Sequence, residues 1–201
     1  MKKNLFVDLL ARQPALFNWL RRLLENNFRA HRAAIKRYFH LDGSSKIVDV
    51  GCGTGEFAPL FSGFSYTGVD IDETYIAYAR KHYQGEFIVS DANRIPFPDD
   101  SFTYGVIIGL LHHLGDDDSK RVLSELRRVV KPSGGILIME DVRRPGDGAI
   151  TKLLHALDKG GDIRTREEYL QLISTSFAAK EDFRMQSGLC PYQVFSIINE
   201  K

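Results

Sequence analysis

The chain has 201 residues, of which 43% are hydrophobic and 26% charged, and its formal net charge is +1. This length fits one globular domain that buries roughly 70% of the unfolded chain's surface. Its two cysteines, Cys52 and Cys190, give neither a disulfide framework nor a metal-binding spacing, so we expect a reducing cytosol and no metal site. Asp8, Arg12 and Pro14 interrupt the apolar start, which predicts a cytoplasmic protein without a signal peptide or membrane span.

The charge is distributed unevenly along the chain. Residues 1–42 carry nine Lys and Arg against three acids, a local charge of +6, and the remainder of the chain carries −5. Within 15–39, apolar residues recur at three- and four-residue spacing, which predicts a helical segment with a bend near Asn26-Asn27. We therefore divide the chain into an N-terminal helical lid segment, 1–44, and a main part, 45–201, that together form one domain.

The rest of the chain alternates between strand and helix patterns. Strands are predicted over 47–50, 66–70, 86–90, 102–108, 135–140, 179–185 and 193–199. Helices are predicted over 56–61, 73–82 (with Asp72 as N-cap), 116–130, 150–157 and 165–174 (with a capping box at its start). Alternation up to residue 141, followed by a terminal hairpin, predicts a doubly wound α/β sandwich with one antiparallel strand.

The most informative stretch is Lys46–Glu56, where an apolar β-branched run ends in glycines at alternate positions. Gly51, Gly53 and Gly55 let the backbone turn tightly and let a ligand approach the main chain closely. Nineteen residues after Gly51, the second predicted strand ends at Asp70. This spacing is typical of an acid that binds a ribose at the tip of a neighbouring parallel strand, so it predicts a nucleoside-containing cofactor.

Charge indicates which cofactor this is. The loop has the pattern G-x-G-x-G rather than G-x-G-x-x-G, and Glu56 follows its last glycine. Acids recur at the predicted strand ends, at Asp49, Asp70 and Asp91. These carboxylates would repel a pyrophosphate and attract a ligand that carries a sulfonium and an ammonium group.

These residues resemble the class I S-adenosylmethionine (SAM) dependent methyltransferases, in the type 11 or ubiquinone–menaquinone-methyltransferase-like branch. The resemblance covers about residues 45 to 141 and rests on four segments: Val48–Gly55, Gly68-Val-Asp-Ile71, Ser90-Asp-Ala92 and Leu111-His-His-Leu114. It implies SAM as cofactor, S-adenosylhomocysteine as product, and a mostly parallel seven-stranded sheet of order 3-2-1-4-5-7-6 with strand 7 antiparallel.

The resemblance also implies roles for individual residues. The glycines would lie under the methionine and ribose portions of SAM, and Asp49 would orient the loop or meet the ammonium through water. Asp70 would accept both ribose hydroxyls. The remaining cofactor contacts would be Ile71 against the adenine face, Asp91 and the Ala92 N–H at the adenine edge, and backbone carbonyls near Gly109 and Leu110. An alternative for Asp91 is a loop acid that caps the following segment.

Methyl transfer from a sulfonium depends chiefly on alignment, and a base is needed only for a protonated acceptor. His112 and His113 follow the fourth predicted strand and are the candidate catalytic bases, although such a pair is also a structural feature of this turn in the family. The segment Gly109–His112 has no Asn-Pro-Pro-Tyr or Asp-Pro-Pro-Tyr motif and no cysteine. This disfavours methylation of exocyclic amines, glutamine amides and cytosine C5.

The sequence therefore predicts a SAM-dependent methyltransferase with a small-molecule or lipid-like acceptor. Two alternatives are a non-catalytic SAM-binding partner or regulatory subunit and a nicotinamide-dependent dehydrogenase. The basic segment is either a lid with solvated arginines or a surface that contacts an anionic membrane peripherally. In the second interpretation Trp19, Leu20, Leu23 and Leu24 face the acceptor side, and an anionic membrane surface or head group is attracted by Arg21, Arg22, Arg29 and Arg32. A nucleic-acid partner is disfavoured by the charge of −5 on the remainder.

Overall fold

The computed structural model of the protein describes residues 13–158 and 160–201; the first twelve residues of the predicted lid segment lie outside the described part. The helices are α1 (Pro14–Leu24), α2 (Arg29–Tyr38), α3 (Glu73–His82), α4 (Asp116–Val129), α5 (Ala149–Leu157) and α6 (Arg166–Ile173). The strands are β1 (Lys46–Val50), β2 (Ser65–Asp70), β3 (Glu86–Val89), β4 (Phe102–Ile108), β5 (Val130–Asp141), β6 (Ala179–Ser187) and β7 (Cys190–Ile198).

The strands form one sheet of order β3-β2-β1-β4-β5-β7-β6. Strands β1 to β5 pair in parallel, and β7 is antiparallel to both β5 and β6. This confirms the expected fold and strand order. The strand order extends from β1 through β2 to β3 on one side of the sheet and from β4 to β5 on the other. The order therefore reverses between β1 and β4, and their carboxyl ends border the crevice where such sheets bind ligands.

Each face of the sheet carries its own hydrophobic core. Along β4, Val106 and Ile108 belong to one core and Ile107 to the other, because successive side chains of a strand point to opposite faces. Helices α2 and α3 cover the first core, whereas α4 and α6 cover the second. The central strands are buried on both faces, as their continuous apolar runs predict.

The N-terminal segment is helical with the predicted bend. Asn26, Asn27 and Phe28 have φ values of 50°, 53° and 55°, and these three left-handed residues separate α1 from α2. The side chain of Phe28 is buried in the first core, together with Ala34, Ile35 and Phe39. The segment is therefore part of the domain's core as well as a cover for the loops.

Some predicted boundaries need correction. The helix expected over 56–61 is a short 3-10 turn, Ala58–Phe61, with Pro59 in its first turn, where a missing N–H costs little. Strand β5 begins at Val130 rather than at residue 135. The terminal hairpin turns at Gly188-Leu189, because β7 already begins at Cys190. Pro191 is thus the second residue of a strand, near the end where proline is tolerated.

No helix in the described part of the chain is both long and apolar enough to span a bilayer.

Candidate cofactor and acceptor site

The glycine loop turns directly out of β1. Gly51, Gly53 and Gly55 have φ values of 76°, 52° and 77°, a region that favours glycine. The Gly51 N–H donates to the Val69 carbonyl at 2.8 Å, which ties the loop to β2. A Cβ at Gly55 would lie 2.9 Å from the Phe87 ring, so packing as well as conformation requires glycine there. The loop therefore turns tightly at the sheet's carboxyl edge, and its role in holding a cofactor stays a prediction.

Asp70, at the end of β2, lies against this loop. One carboxylate oxygen accepts the Gly53 N–H at 2.7 Å, and the other accepts the Asp72 N–H at 2.9 Å. Burial raises the pKa of Asp70, although these backbone hydrogen bonds oppose the shift. Each oxygen keeps a free lone pair, so the carboxylate is held in place with acceptor capacity left for two hydroxyl groups.

Asp49, on β1, is buried at 1% exposure and accepts a hydrogen bond from the Tyr66 hydroxyl at 2.7 Å. Burial raises the pKa of Asp49 to about 7; the Tyr66 hydrogen bond opposes this shift, and the charge of Asp70 adds to it. At neutral pH this carboxyl is therefore near the midpoint of its titration. Its position behind the loop agrees with a supporting role rather than direct contact with a ligand.

The predicted adenine-side residues are more open. Ile71 is 71% exposed beside Asp70. The exposed Asp91 accepts the Asn93 N–H at 2.8 Å and thus caps its own turn, the alternative that the sequence left open. The Ser90 N–H donates to the Asp70 carbonyl at 2.9 Å, which places the loop containing Asp91 and Ala92 next to the tip of β2. A role at the adenine edge for Asp91 and Ala92 stays a prediction.

On the other side of the crevice, Glu140 organises the loop after β4. Its side chain is fully buried and accepts the backbone N–H groups of Leu110 and Leu111 at 3.0 and 2.9 Å. Gly109, with φ of 66°, begins this loop, and the Leu110 side chain packs over Gly51. Sequence analysis missed Glu140, whose only signal is an acid near the end of an otherwise apolar strand.

Glu140 also contacts one of the predicted bases. The Nδ1 atom of His112 lies 2.8 Å from Glu140 Oε2. Burial alone would lower the pKa of His112, but the hydrogen bond and charge of Glu140, with smaller contributions from Asp141 and Asp158, raise it to about 9. A protonated imidazole is a poor base, so this geometry favours a positioning role for His112. His113 is exposed, with its ring centroid 4.2 Å from that of His112. Its role as a base stays a prediction.

Helix α1 covers the glycine loop. The Thr54 hydroxyl donates to the buried Asn18 side chain at 2.6 Å, and the Phe17 ring stacks on Tyr75 with a centroid separation of 5.9 Å. The carboxylate of Glu56, directly after the loop, forms ion pairs with the guanidinium groups of Arg22 at 2.9 Å and Arg32 at 3.4 Å. Glu56 is therefore a docking residue for the N-terminal segment.

These ion pairs modify the lid interpretation, because several arginines of the segment are paired with acids rather than merely solvated. In addition to the two arginines on Glu56, Arg21 pairs with Glu25 at 2.8 Å and Arg37 with Glu181 at 3.5 Å. The hydroxyl of Tyr192 donates to the same Glu25 at 2.9 Å. Four arginines of the segment, Arg21, Arg22, Arg32 and Arg37, are thus paired with acids of the chain itself.

Asp141 lies at the carboxyl end of β5, on the side of the crevice away from Asp70. Burial raises its pKa to about 7; the charge of His112 opposes this shift, and the charges of Glu25 and Asp158 add to it. The C-cap residue of α1, Glu25, and Asp158, which follows α5, therefore both act electrostatically on the carboxyl end of β5. Sequence analysis did not single out Glu25, Asp141 or Asp158.

Together, the reversed last strand, the glycine turn and the strand-tip carboxylates define a class I SAM-dependent methyltransferase domain. Residues 48–138 match the family model described as "Methyltransferase domain", type 11. Residues 48–138 are thus a methyltransferase domain of this family, whose cofactor is SAM.

Similar proteins agree with this assignment. A demethylmenaquinone methyltransferase from Thermotoga maritima is 38% identical over 101 residues, which cover 47% of this chain and 43% of the relative. A tRNA (carboxymethyluridine(34)-5-O)-methyltransferase from Arabidopsis thaliana is 35% identical over 99 residues, 49% of this chain and 24% of the relative. The chain thus spans less than half the length of either relative.

The fold is also that of solved methyltransferase structures. Human N-acetylserotonin methyltransferase, solved in complex with SAM, superposes with a TM-score of 0.71 at 21% identity, covering 100% of this chain and 60% of the human one. At this level of identity, the similarity establishes the shared fold.

Proposed function

We propose that the protein transfers a methyl group from SAM to a small-molecule or lipid-like acceptor. The observation that carries the proposal is the position of Asp70 at the end of β2, where the N–H of Gly53 in the glycine loop donates to its carboxylate. A carboxylate so placed binds two ribose hydroxyls with charge-assisted hydrogen bonds. The partly titrated Asp49 behind the loop adds negative potential for a cationic cofactor.

The exposed apolar residues support a lipid-like acceptor. On α1, Leu16, Trp19 and Leu23 are exposed at helical spacing; on α5, Ile150, Leu153 and Leu157 repeat this pattern. Exposed apolar faces of this kind mark surfaces that contact membranes, apolar ligands or partners. The similarity to a demethylmenaquinone methyltransferase agrees with such an acceptor. Peripheral contact with a membrane would follow from the same residues.

A nucleic-acid acceptor is the second candidate, because one relative is named as a tRNA methyltransferase. Binding to a polyanion depends on cationic side chains that are available to phosphates. In this structure Arg21, Arg22 and Arg32 are engaged with Glu25 or Glu56. We therefore rank the small or lipid-like acceptor first.

Titration calorimetry with SAM, S-adenosylhomocysteine and NAD tests the cofactor. We expect binding of the first two ligands and none of NAD; the opposite selectivity would indicate a dehydrogenase. Transfer of a radiolabelled methyl group from SAM is then measured with a hydroxynaphthoquinone in detergent micelles and with bulk tRNA. Label in the organic phase supports the proposal, whereas label in tRNA alone replaces it with the second candidate. SAM binding without transfer to either acceptor points to the non-catalytic alternative.

A further inference from the structure

A cluster of metal-ligating side chains lies next to the cofactor crevice. Among the residues that the structure describes, His112, His113 and Asp158 each offer one ligand atom, and these atoms lie within 4.8 Å of one another. The His112 Nε2 to Asp158 Oδ1 distance is 3.6 Å. Two ligands bound to one ion at about 2.0–2.2 Å are separated by a comparable distance in a tetrahedral site.

The surroundings of His112 orient it as a metal ligand. Its Nδ1 atom is 2.8 Å from Glu140 Oε2, so the Nδ1–H points to the carboxylate and the Nε2 atom faces Asp158. An ion bound at Nε2 would displace the proton that this nitrogen carries in the protonated ring. A carboxylate behind a ligating histidine fixes its tautomer and ring orientation in most metal sites. Glu140 is itself held by the Leu110 and Leu111 amides, so the orientation does not depend on one contact.

The other ligands come from two different segments. His113 is adjacent in sequence, and its ring lies beside that of His112. Asp158 follows α5 and accepts the Gly160 N–H at 2.5 Å, which limits the rotation of its carboxylate.

A separate observation also points to a ligand here. His155, one turn before Asp158 on α5, has a buried Nε2 atom without a hydrogen-bond partner. His155 lies three residues before Asp158, the C-cap residue of α5, so the two side chains are neighbours on one face of the end of this helix. A buried nitrogen without a hydrogen-bond partner costs free energy, which a bound ligand would recover.

We propose that His112 Nε2, one ring nitrogen of His113 and the Asp158 carboxylate bind a divalent first-row transition ion, Zn²⁺ or Fe²⁺, on the acceptor side of the crevice. Two imidazoles and one carboxylate with open coordination positions are the donor set of catalytic sites for these ions. The sequence did not reveal it because Asp158 follows His113 by 45 residues.

Resting on the proposed function, the ion gives the site a way to use a hydroxyl acceptor. The acceptor oxygen would occupy an open position, and its proton would leave to solvent because the ion lowers the hydroxyl pKa. The oxygen lone pair would then form the bond to the methyl group while the carbon–sulfur bond breaks, leaving S-adenosylhomocysteine. No histidine has to act as the base in this sequence of events.

The test is a titration of the chelator-treated full chain with Co²⁺, a spectroscopic substitute for Zn²⁺ and Fe²⁺. We expect one ion per chain with visible ligand-field absorption, and displacement by Zn²⁺. The variants His113→Gln and Asp158→Asn should each weaken Co²⁺ binding at least about 10-fold. The control His40→Gln removes an exposed imidazole outside the cluster and should bind like the parent.

Equal Co²⁺ affinity of the parent and both cluster variants overturns the proposal, as does a parent that binds no ion. SAM calorimetry on the same samples separates this result from failure of the proposed function: a chain that binds Co²⁺ but not SAM keeps the metal site and loses the methyltransferase. Retained SAM binding in the variants also shows that they are folded. If either variant is unfolded, His113→Ala and Asp158→Ala replace it, since both side chains are exposed.

Discussion

Asp70 and Asp49 are both acids of the cofactor edge, yet their surroundings give them different properties. Asp70 is held by two backbone amides, one on each carboxylate oxygen, and keeps acceptor capacity on both. Asp49 is enclosed, with the Tyr66 hydroxyl as its hydrogen-bond donor. Sequence spacing predicted that both acids would lie at this edge. It did not predict the difference between them, which comes from Tyr66 on the neighbouring strand.

Asp70→Ala should weaken SAM binding by about 2–3 kcal/mol, because two charge-assisted hydrogen bonds to the ribose are lost together. Titration calorimetry measures this. The control Asp117→Ala removes an exposed carboxylate in the first turn of α4 and should leave the affinity unchanged. If Asp70→Ala binds SAM like the parent, the ribose is not bound at the tip of β2.

The titration of Asp49 predicts a pH dependence of SAM binding. Its pKa is about 7 in the free protein, well above the usual value of an aspartate. A cationic cofactor favours the ionised carboxylate, so SAM binding should lower this pKa and release a proton. Affinity should therefore rise between about pH 6 and about pH 8, and Asp49→Asn should remove the rise. Calorimetry in two buffers of different ionisation enthalpy would detect the proton, and equal heats in both buffers would contradict this account.

The raised pKa of Asp49 also makes the free energy of unfolding depend on pH. Between the ordinary aspartate pKa and about 7, the folded chain holds the Asp49 proton more tightly than the unfolded chain. Protonated Asp49 therefore adds to the free energy of unfolding at low pH. This stabilisation is lost as the pH rises through about 7, by at most about 1.4 kcal/mol per pH unit. In urea titrations, the parent should lose stability relative to Asp49→Asn as the pH rises from the ordinary aspartate pKa to about 7. A parallel pH dependence of the two proteins would show that Asp49 titrates normally.

At the scale of elements, the regular units were predictable because their signals are local. The Asp72 side chain accepts the N–H groups of Thr74 and Tyr75, and α3 follows as expected. Thr165 and Glu168 form the predicted capping box of α6. By contrast, Glu56 pairs with Arg22, 34 residues earlier, and Glu140 binds amides about 30 residues earlier. Contacts between segments so far apart leave no periodicity in one sequence.

The docking of α1 through Glu56 can be tested by Glu56→Gln, which keeps the shape of the side chain and removes its charge. Arg22 and Arg32 would lose a buried ionic partner, and we expect a loss of about 1–3 kcal/mol in urea unfolding. Hydrogen exchange of the α1 amides should accelerate at the same time. Glu181→Gln breaks the exposed pair with Arg37 and should cost less than about 0.5 kcal/mol. Equal effects of the two substitutions would mean that Glu56 does not anchor the segment.

For the whole molecule, the sequence correctly indicated an uneven charge distribution, but its consequence could not be predicted. The positive segment docks on the negative remainder through Arg22, Arg32 and Arg37, so part of the charge difference is neutralised inside the domain. On α1, Trp19 is 59% and Leu23 66% exposed, while the buried apolar contacts of this segment come from Phe28 and α2. The solvent-exposed surface of α1 is thus mainly apolar.

This arrangement predicts how the protein meets a lipid surface. If the exposed faces of α1 and α5 contact a membrane, the chain should co-sediment with anionic liposomes chiefly through apolar burial. Salt, which screens exposed charges within about 8 Å at physiological ionic strength, should then weaken binding only in part. The double variant Trp19→Ser/Leu23→Ser should lose binding without unfolding, since both side chains are exposed.

Deletion of residues 1–30 is a poor form of this experiment, because it would remove Phe28 from the core. The matched control is Ile198→Ser, an exposed apolar residue at the end of β7 that pairs with Gly135, on the opposite edge of the sheet from the crevice. It should sediment with liposomes like the parent. If the parent stays in the supernatant with liposomes of any charge, the exposed faces of α1 and α5 do not serve a membrane, and a soluble acceptor small enough to enter between them becomes the better substrate class.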